Sequence, residues 1–289
     1  MHQLILFGLV GVVMAMSSAH ADPVRIVAAE NFYGDIARQI GGPAAKVTSI
    51  LSNPDQDPHQ FETSPSAARD VAAARIVIYN GIDYDPWIEK MLGAARSAGC
   101  RPIVVADLVG RKTGDNPHIW YDPATMPALA KALSDMLIAG DPGGAAGYRE
   151  RLARFDSSMA PVRAKIAELR RRLAGTPVTA TESVAFYLLA ALGLEDRNQA
   201  FQLAVMNETE PAASDIAAFE NDLKTRRVRL LFHNSQTTGP ITERMRKLAA
   251  ASHIPVVGVT ETQPAGMNYQ GWMMSTLDAI DRALTKSSP

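Results

Sequence analysis

Hydrophobic and polar positions alternate between two regimes along this chain. Beyond residue 21, short apolar runs give way repeatedly to stretches whose apolar positions recur every three or four residues. The runs at 24–28, 46–50, 75–80 and 102–106 predict strands, and the stretches at 31–40, 64–74 and 86–98 predict the helices between them. Ile76-Val77-Ile78-Tyr79 and Ile103-Val104-Val105 are apolar at every position, as strands covered on both faces require. Strand and helix in regular alternation predict a parallel α/β sheet.

A helix is predicted at 124–139, and residues 145–173 read as one long helix. There Leu152, Phe155, Met159, Val162, Ile166 and Leu169 form one apolar stripe. At roughly 1.5 Å per residue such a helix spans on the order of 40 Å, the height of a domain, and Pro161 is expected to bend or interrupt it. Its charged positions Arg149, Glu150, Arg151, Arg163, Lys165, Glu168 and Arg170 read as a solvated face. Alternation then resumes, with strands expected at 177–180, 201–205, 228–233 and 255–259 and helices at 184–192, 212–224, 242–251 and 269–286. The expected fold class is α/β: two lobes, each a parallel sheet flanked by helices, joined by one long spine helix. Residues 22–143 form the N-terminal lobe in this reading, 144–173 the linking helix and 174–289 the C-terminal lobe.

Residues 1–21 stand apart. An almost purely apolar run precedes Ala19-His20-Ala21, the small-x-small pattern of a signal-peptide cleavage site, although Met1-His2-Gln3 carries no Lys or Arg. The run is shorter than the roughly 20 apolar residues that span a bilayer, so cleavage and export to the periplasm are expected. A net charge of −1 offers no footprint for nucleic acid or anionic lipid. The lone Cys100 excludes an internal disulfide and a thiolate cluster, so a metal site would use nitrogen and oxygen. No cysteine follows the leader to take a lipid, and the expected product is a monomer without a membrane anchor.

Outside the leader the histidines are His59, His118, His233 and His253. Asp57-Pro58-His59 follows the second predicted strand and Asn116-Pro117-His118 follows the fourth. Ligands of open parallel sheets bind beyond the carboxyl ends of the strands. Either histidine alone also fits a hydrogen-bonding loop residue; the pair, at equivalent strand ends, points to metal. The second half places Glu182 after its first strand and Glu261 after its last. Each carboxylate also fits a helix cap or an exposed residue. Two imidazoles and two carboxylates suit zinc, manganese or iron(II). His233 is a rival ligand, and His253, near a helix end, reads as structural.

The sequence resembles the periplasmic zinc- and manganese-binding proteins of ABC metal importers, the cluster A-I solute-binding proteins. Asp57-Pro58-His59 with Phe61-Glu62, Asn80-Gly81 with Trp87-Ile88-Glu89, and Asn116-Pro117-His118-Ile119-Trp120 carry the resemblance, which extends over nearly the whole chain after the leader. It implies a bilobed fold with a long helix between the lobes and metal ligands at His59, His118, Glu182 and Glu261. Glutamate at 182 resembles the manganese branch, whereas glutamate at 261 replaces the family's usual aspartate. No histidine-rich insertion precedes His118.

The expected function is therefore ion transport without chemistry. One divalent transition-metal ion is the cargo, no catalytic residue or other cofactor is involved, and the partner is a cognate ABC-importer permease. A periplasmic metallohydrolase is the main rival, yet H-E-x-x-H, the phosphate loop G-x-x-x-x-G-K-[ST] and the nucleophile elbow G-x-S-x-G are all absent. A second rival keeps the bilobed fold but binds a metal chelate, which would need a wide apolar cleft.

Overall fold

A computed structural model describes residues 22–53, 61–95, 99–237 and 239–286. The first half runs β1 (Val24–Glu30), α1 (Asn31–Gly41), β2 (Ala45–Leu51), α2 (Pro65–Ala73), β3 (Ile76–Tyr79), α3 (Pro86–Ala95), β4 (Arg101–Val104), α4 (Val105–Leu108) and α5 (Thr125–Gly140). Two helices follow, α6 (Ala145–Ser158) and α7 (Ala160–Leu173). The second half runs β5 (Pro177–Ala180), α8 (Phe186–Leu192), β6 (Glu195–Arg197), α9 (Gln199–Met206), α10 (Ala213–Lys224), β7 (Leu231–Asn234), α11 (Pro240–Ala251), β8 (Val256–Val259) and α12 (Tyr269–Lys286).

All strand pairs are parallel, in the orders β2-β1-β3-β4 and β6-β5-β7-β8. The two lobes thus share one topology. In each, the chain leaves the first strand for an edge and then crosses back, so the loops after the two central strands part and leave a crevice at their carboxyl ends.

Local chemistry explains the element boundaries. Ser64 caps α2, its Oγ accepting from the Ala67 amide at 3.2 Å with Pro65 in the first turn. Gly193, at φ 68°, ends α8 in the left-handed conformation. Proline interrupts the spine as its missing donor requires: α6 stops at Ser158 and α7 restarts at Ala160, with Pro161 in its first turn. The single long helix is therefore two.

A second expectation fails outright. Residues 201–205 lie in a helix, α9, and the edge strand is Glu195–Arg197. Phe201 is buried edge-to-face on Phe219 of α10 while Leu203 is half exposed, a helical distribution that five residues of sequence cannot separate from a strand. The true strand carries Glu-Asp-Arg, because an edge strand needs little apolar surface and charge discourages further pairing.

Each lobe has a smaller hydrophobic cluster of its own, around Val77 and Ile88 in the first and around Phe201 and Leu231 in the second, but the largest cluster is shared. One hydrophobic cluster runs from Ile26 and Phe32 through Trp120, Leu133, Phe155 and Leu169 to Leu188, Trp272 and Leu284. Polar bonds cross the same boundary: the Asn31 side chain exchanges two hydrogen bonds with the Gln263 backbone, at 2.8 and 3.0 Å. No described helix is long and apolar enough to cross a membrane.

Candidate metal centre

Three of the four predicted ligands converge where the strand ends face one another. Sheet bonds continue past β5 and β7, with Thr181 N–H on Phe232 O at 2.9 Å and Ser235 N–H on Val259 O at 3.0 Å. Glu182 and Glu261 are therefore presented by backbone still held in the sheet. His118 arrives from the long loop after α4. One candidate ligand atom from each of His118, Glu182 and Glu261 lies within 4.8 Å of the others, and all three residues are buried. His59 lies outside the described residues.

The imidazole is set in one tautomer. Asn116 Oδ1 accepts from the His118 amide at 2.9 Å and lies 2.9 Å from Nδ1, so Nδ1 carries the proton and Nε2 presents a lone pair. Asn116 in turn donates through Nδ2 to Ser183 O at 2.9 Å, and its own carbonyl accepts from the Tyr187 hydroxyl at 2.8 Å. The first-lobe histidine is thus oriented by a residue anchored on the second lobe.

His118 Nε2 is buried, lacks a hydrogen-bond partner among the described residues, and faces Glu261 Oε2 at 3.5 Å. Two acceptors at that distance, shielded from water, repel each other unless a cation or proton lies between them.

Further groups hold the carboxylates. Tyr84 donates to Glu261 Oε2 at 3.1 Å, and burial together with the Glu261 charge pushes its phenol well above the usual range, keeping it a donor. Tyr84 is delivered by a strained turn in which Gly81, Ile82 and Asp83 all have positive φ, at 80°, 47° and 65°. A Cβ at Gly81 would meet Val104 Cγ1 at 2.6 Å. Asp85 clamps the turn, accepting from the Asn80 and Gly81 amides at 2.6 and 2.9 Å. Asn234, the last residue of β7, donates to both carboxylates, and Gln236 Oε1 accepts from the Glu261 amide at 2.5 Å.

Beneath this layer Glu30 and Asp85 form a buried acidic pair. Burial, then the Asp85 charge, raises the Glu30 carboxyl well above its usual range. Burial also pushes Asp85 up to about 6 against the lowering effect of its amide donors.

His233 does not join the cluster. It precedes Asn234 on β7 and so points to the opposite face of the sheet, with Nδ1 3.4 Å from Thr181 Oγ1. Burial, then Arg246, lowers its pKa. His253 is exposed just past α11 at φ 57°. Sequence reasoning missed Tyr84, Asn116, Asn234 and Gln236. Their signal was present as a run of amides at 234 and 236 and beside His118, but neutral side chains do not stand out as ligands.

Two parallel-sheet lobes with imidazole and carboxylates converging between their strand ends define a bilobed binding protein. The family comparison agrees: the model of the zinc-uptake complex component A, periplasmic (ZnuA) matches residues 26–283, and the chain belongs to that family. The manganese ABC transporter substrate-binding lipoprotein PsaA of Streptococcus pneumoniae is 23% identical over 305 residues, covering 98% of this chain and 96% of its own. The iron ABC transporter substrate-binding lipoprotein MtsA of Streptococcus pyogenes serotype M1 is 21% identical over 287 residues, covering 93% and 91%. Among solved structures, the periplasmic zinc-binding protein TroA of Treponema pallidum superposes with a TM-score of 0.76 at 18% identity, covering 91% of this chain and 99% of that one.

Proposed function

We propose that this protein captures one divalent transition-metal ion, zinc or manganese, between its lobes and hands it to the membrane permease of an ABC importer. The observation that carries the reading is His118 Nε2 facing Glu261 Oε2 at 3.5 Å, both buried, with Glu182 completing the cluster. Iron(II) fits the same donors, and His59 is proposed as the fourth ligand. Four protein donors close a coordination sphere, which suits binding rather than catalysis, since a catalytic zinc keeps a position for water. The burial of all three side chains favours a bare ion over a chelate, which needs a wide apolar cleft.

The periplasm is the proposed compartment, with residues 1–21 as leader, and a monomer is the proposed working unit. The lobes are proposed to divide at 22–143 and 174–289, with 144–173 between them.

Titrating the metal-free protein with zinc and with manganese, alongside His118→Ala and Glu182→Ala, tests the proposal. One-to-one binding, lost or severely weakened in both variants, supports capture at this site. Undiminished binding in both would place any metal elsewhere and sink the assignment.

A further inference from the structure

His118, Glu182 and Glu261 are 0%, 2% and 0% exposed, so an ion bound among them can come and go only past a side chain that moves. Two sides of the lobe boundary differ in what they offer. On one side α1 docks a ladder of polar side chains against the second lobe. Asn31 holds the Gln263 backbone, Asp35 Oδ2 accepts from the Tyr269 amide at 2.8 Å, and Gln39 exchanges bonds with Gln270 at 3.1 and 2.9 Å. The three residues are spaced by four, which puts them in one row along the helix. A groove of about 340 Å³ beside Arg38 and Met267 has the first rung, Asn31 and Gln263, in its wall.

Elsewhere on the boundary a groove of about 360 Å³ lies between the turn after β3 and α9. Ile82, Asp83, Tyr84 and Pro117 line its first-lobe side, and Leu203 and Met206 its second-lobe side. Both walls reach the ligands. Tyr84 donates to Glu261 Oε2, its ring centroid lies 6.1 Å from that of His118, and Pro117 immediately precedes His118. Opposite, the Met206 sulfur accepts from Ser183 Oγ at 3.1 Å, and Ser183 follows Glu182. Tyr84 therefore stands between groove and cluster, lining the one and hydrogen-bonded to the other. It also follows two strained residues. Asp85 accepts from the Asn80 and Gly81 amides and so fixes the base of the turn, whereas Ile82, β-branched at φ 47°, and Asp83 at 65° hold a conformation that side chains disfavour.

We infer that this groove is the ion's passage and that Tyr84 is its gate: the ion enters and leaves between the 81–84 turn and α9 when Tyr84 parts from Glu261. Relaxation of Ile82 and Asp83 moves Tyr84 while β3 and α3 stay in place. The inference rests on the capture reading and goes further by naming the route and the group that sets the rate of exchange. A group on the path alters association and dissociation alike, because it changes the barrier. Removing a group that only holds a carboxylate speeds dissociation but leaves association no faster.

The test follows zinc on wild type, Leu203→Trp and Tyr84→Ala. Competition titration gives the affinity, stopped-flow transfer to an excess of chromogenic chelator gives the dissociation rate, and the two together give the association rate. Leu203 is half exposed on the wall opposite Tyr84, so a larger side chain there narrows the groove without entering the core. Leu203→Trp is expected to slow association and dissociation together by about tenfold, the effect of roughly 1.4 kcal/mol on a barrier, at unchanged affinity. Tyr84→Ala is expected to raise the association rate above wild type even though Glu261 loses a donor. Unchanged rates in Leu203→Trp overturn the passage, and that measurement stands even if Tyr84→Ala does not fold. An association rate in folded Tyr84→Ala at or below that of wild type overturns the gate. Either failure, with His118→Ala still abolishing binding, leaves capture intact. Undiminished binding in His118→Ala removes capture at this site and the passage together.

Discussion

Tyr121, in the segment that follows His118, donates its hydroxyl hydrogen to the carbonyl oxygen of Thr260 at 2.9 Å, one residue before Glu261. Residues 139 positions apart thus join the loop bearing the imidazole to the loop bearing a carboxylate, and Tyr121 is 1% exposed. Tyr121→Phe keeps the ring but leaves the Thr260 carbonyl without this donor. The expected loss is about 1–3 kcal/mol of unfolding free energy, read as a lower urea midpoint at unchanged slope. Metal affinity should fall as well, because Glu261 is then less firmly placed.

The Glu30–Asp85 pair makes stability depend on pH in the less familiar direction. Both carboxyls are raised in the folded protein, so between the ordinary carboxylate range and about 6 the folded state binds more protons than the unfolded state. Stability from this pair is therefore present at low pH and is lost as pH rises through that window, by up to about 1.4 kcal/mol per pH unit for each proton. Glu30→Gln removes one of the two titrating carboxyls at nearly constant size. Denaturant midpoints from pH 4 to 7 should fall less steeply for this variant than for wild type, and parallel curves would refute the assignment.

Gly34 sits on α1 where that helix runs against β2. A Cβ there would lie 2.0 Å from Ser49 Oγ and 3.3 Å from Ser49 Cβ, so rotating the hydroxyl away does not relieve the whole contact. Gly34→Ala should cost roughly 1–3 kcal/mol by overpacking, despite alanine's better helix propensity. Thermal unfolding of the variant, compared with alanine at the open Gly140 in α5, separates packing from propensity.

Two arginines should respond to removal on very different scales. Arg197 on β6 makes paired contacts with Asp222 at 2.9 and 3.2 Å, and Asp222 is 4% exposed. Arg154 pairs with Glu150 at 2.9 Å on an open helix face, with both side chains about two-thirds exposed. Arg197→Ala is expected to cost about 2–4 kcal/mol, because it strips a buried carboxylate of its charged partner. Arg154→Ala should cost less than about 0.5 kcal/mol. Equal effects in urea unfolding would show that Asp222 finds compensation from Asn198, whose Nδ2 lies 3.3 Å away.

Much of this architecture was legible from local pattern. Strands such as Ile76–Tyr79 and Pro177–Ala180 announce themselves as short apolar runs bounded by turn residues, and the two-lobed parallel plan follows from their alternation with helices. Helix α12, Tyr269–Lys286, carries a sustained helical period and was legible at both ends. Period and punctuation are properties of neighbouring residues, so they survive without knowledge of the fold. The same holds for Glu182 and Glu261, which stand just beyond strand ends, and for the metal-binding type of His118, although the structure places it on the long loop after α4.

What tertiary structure decided are matters that depend on a partner distant in sequence. Residues 199–206 became helical because Phe201 is received by Phe219, and the charged Glu195–Arg197 segment became a strand because β5 offers it an edge. His233 and Asn234 are adjacent in sequence, yet the pleat of β7 turns one away and places the other between two glutamates. Tyr84, Asn116 and Gln236 likewise acquire their roles only when chain folding brings another lobe or loop within hydrogen-bond reach. Sequence alone determined most of the elements and the chemical type of the donors, because those reside in local propensity and side-chain identity. The orientation of each donor was decided by the fold, because it is set by hydrogen bonds between residues tens to hundreds of positions apart.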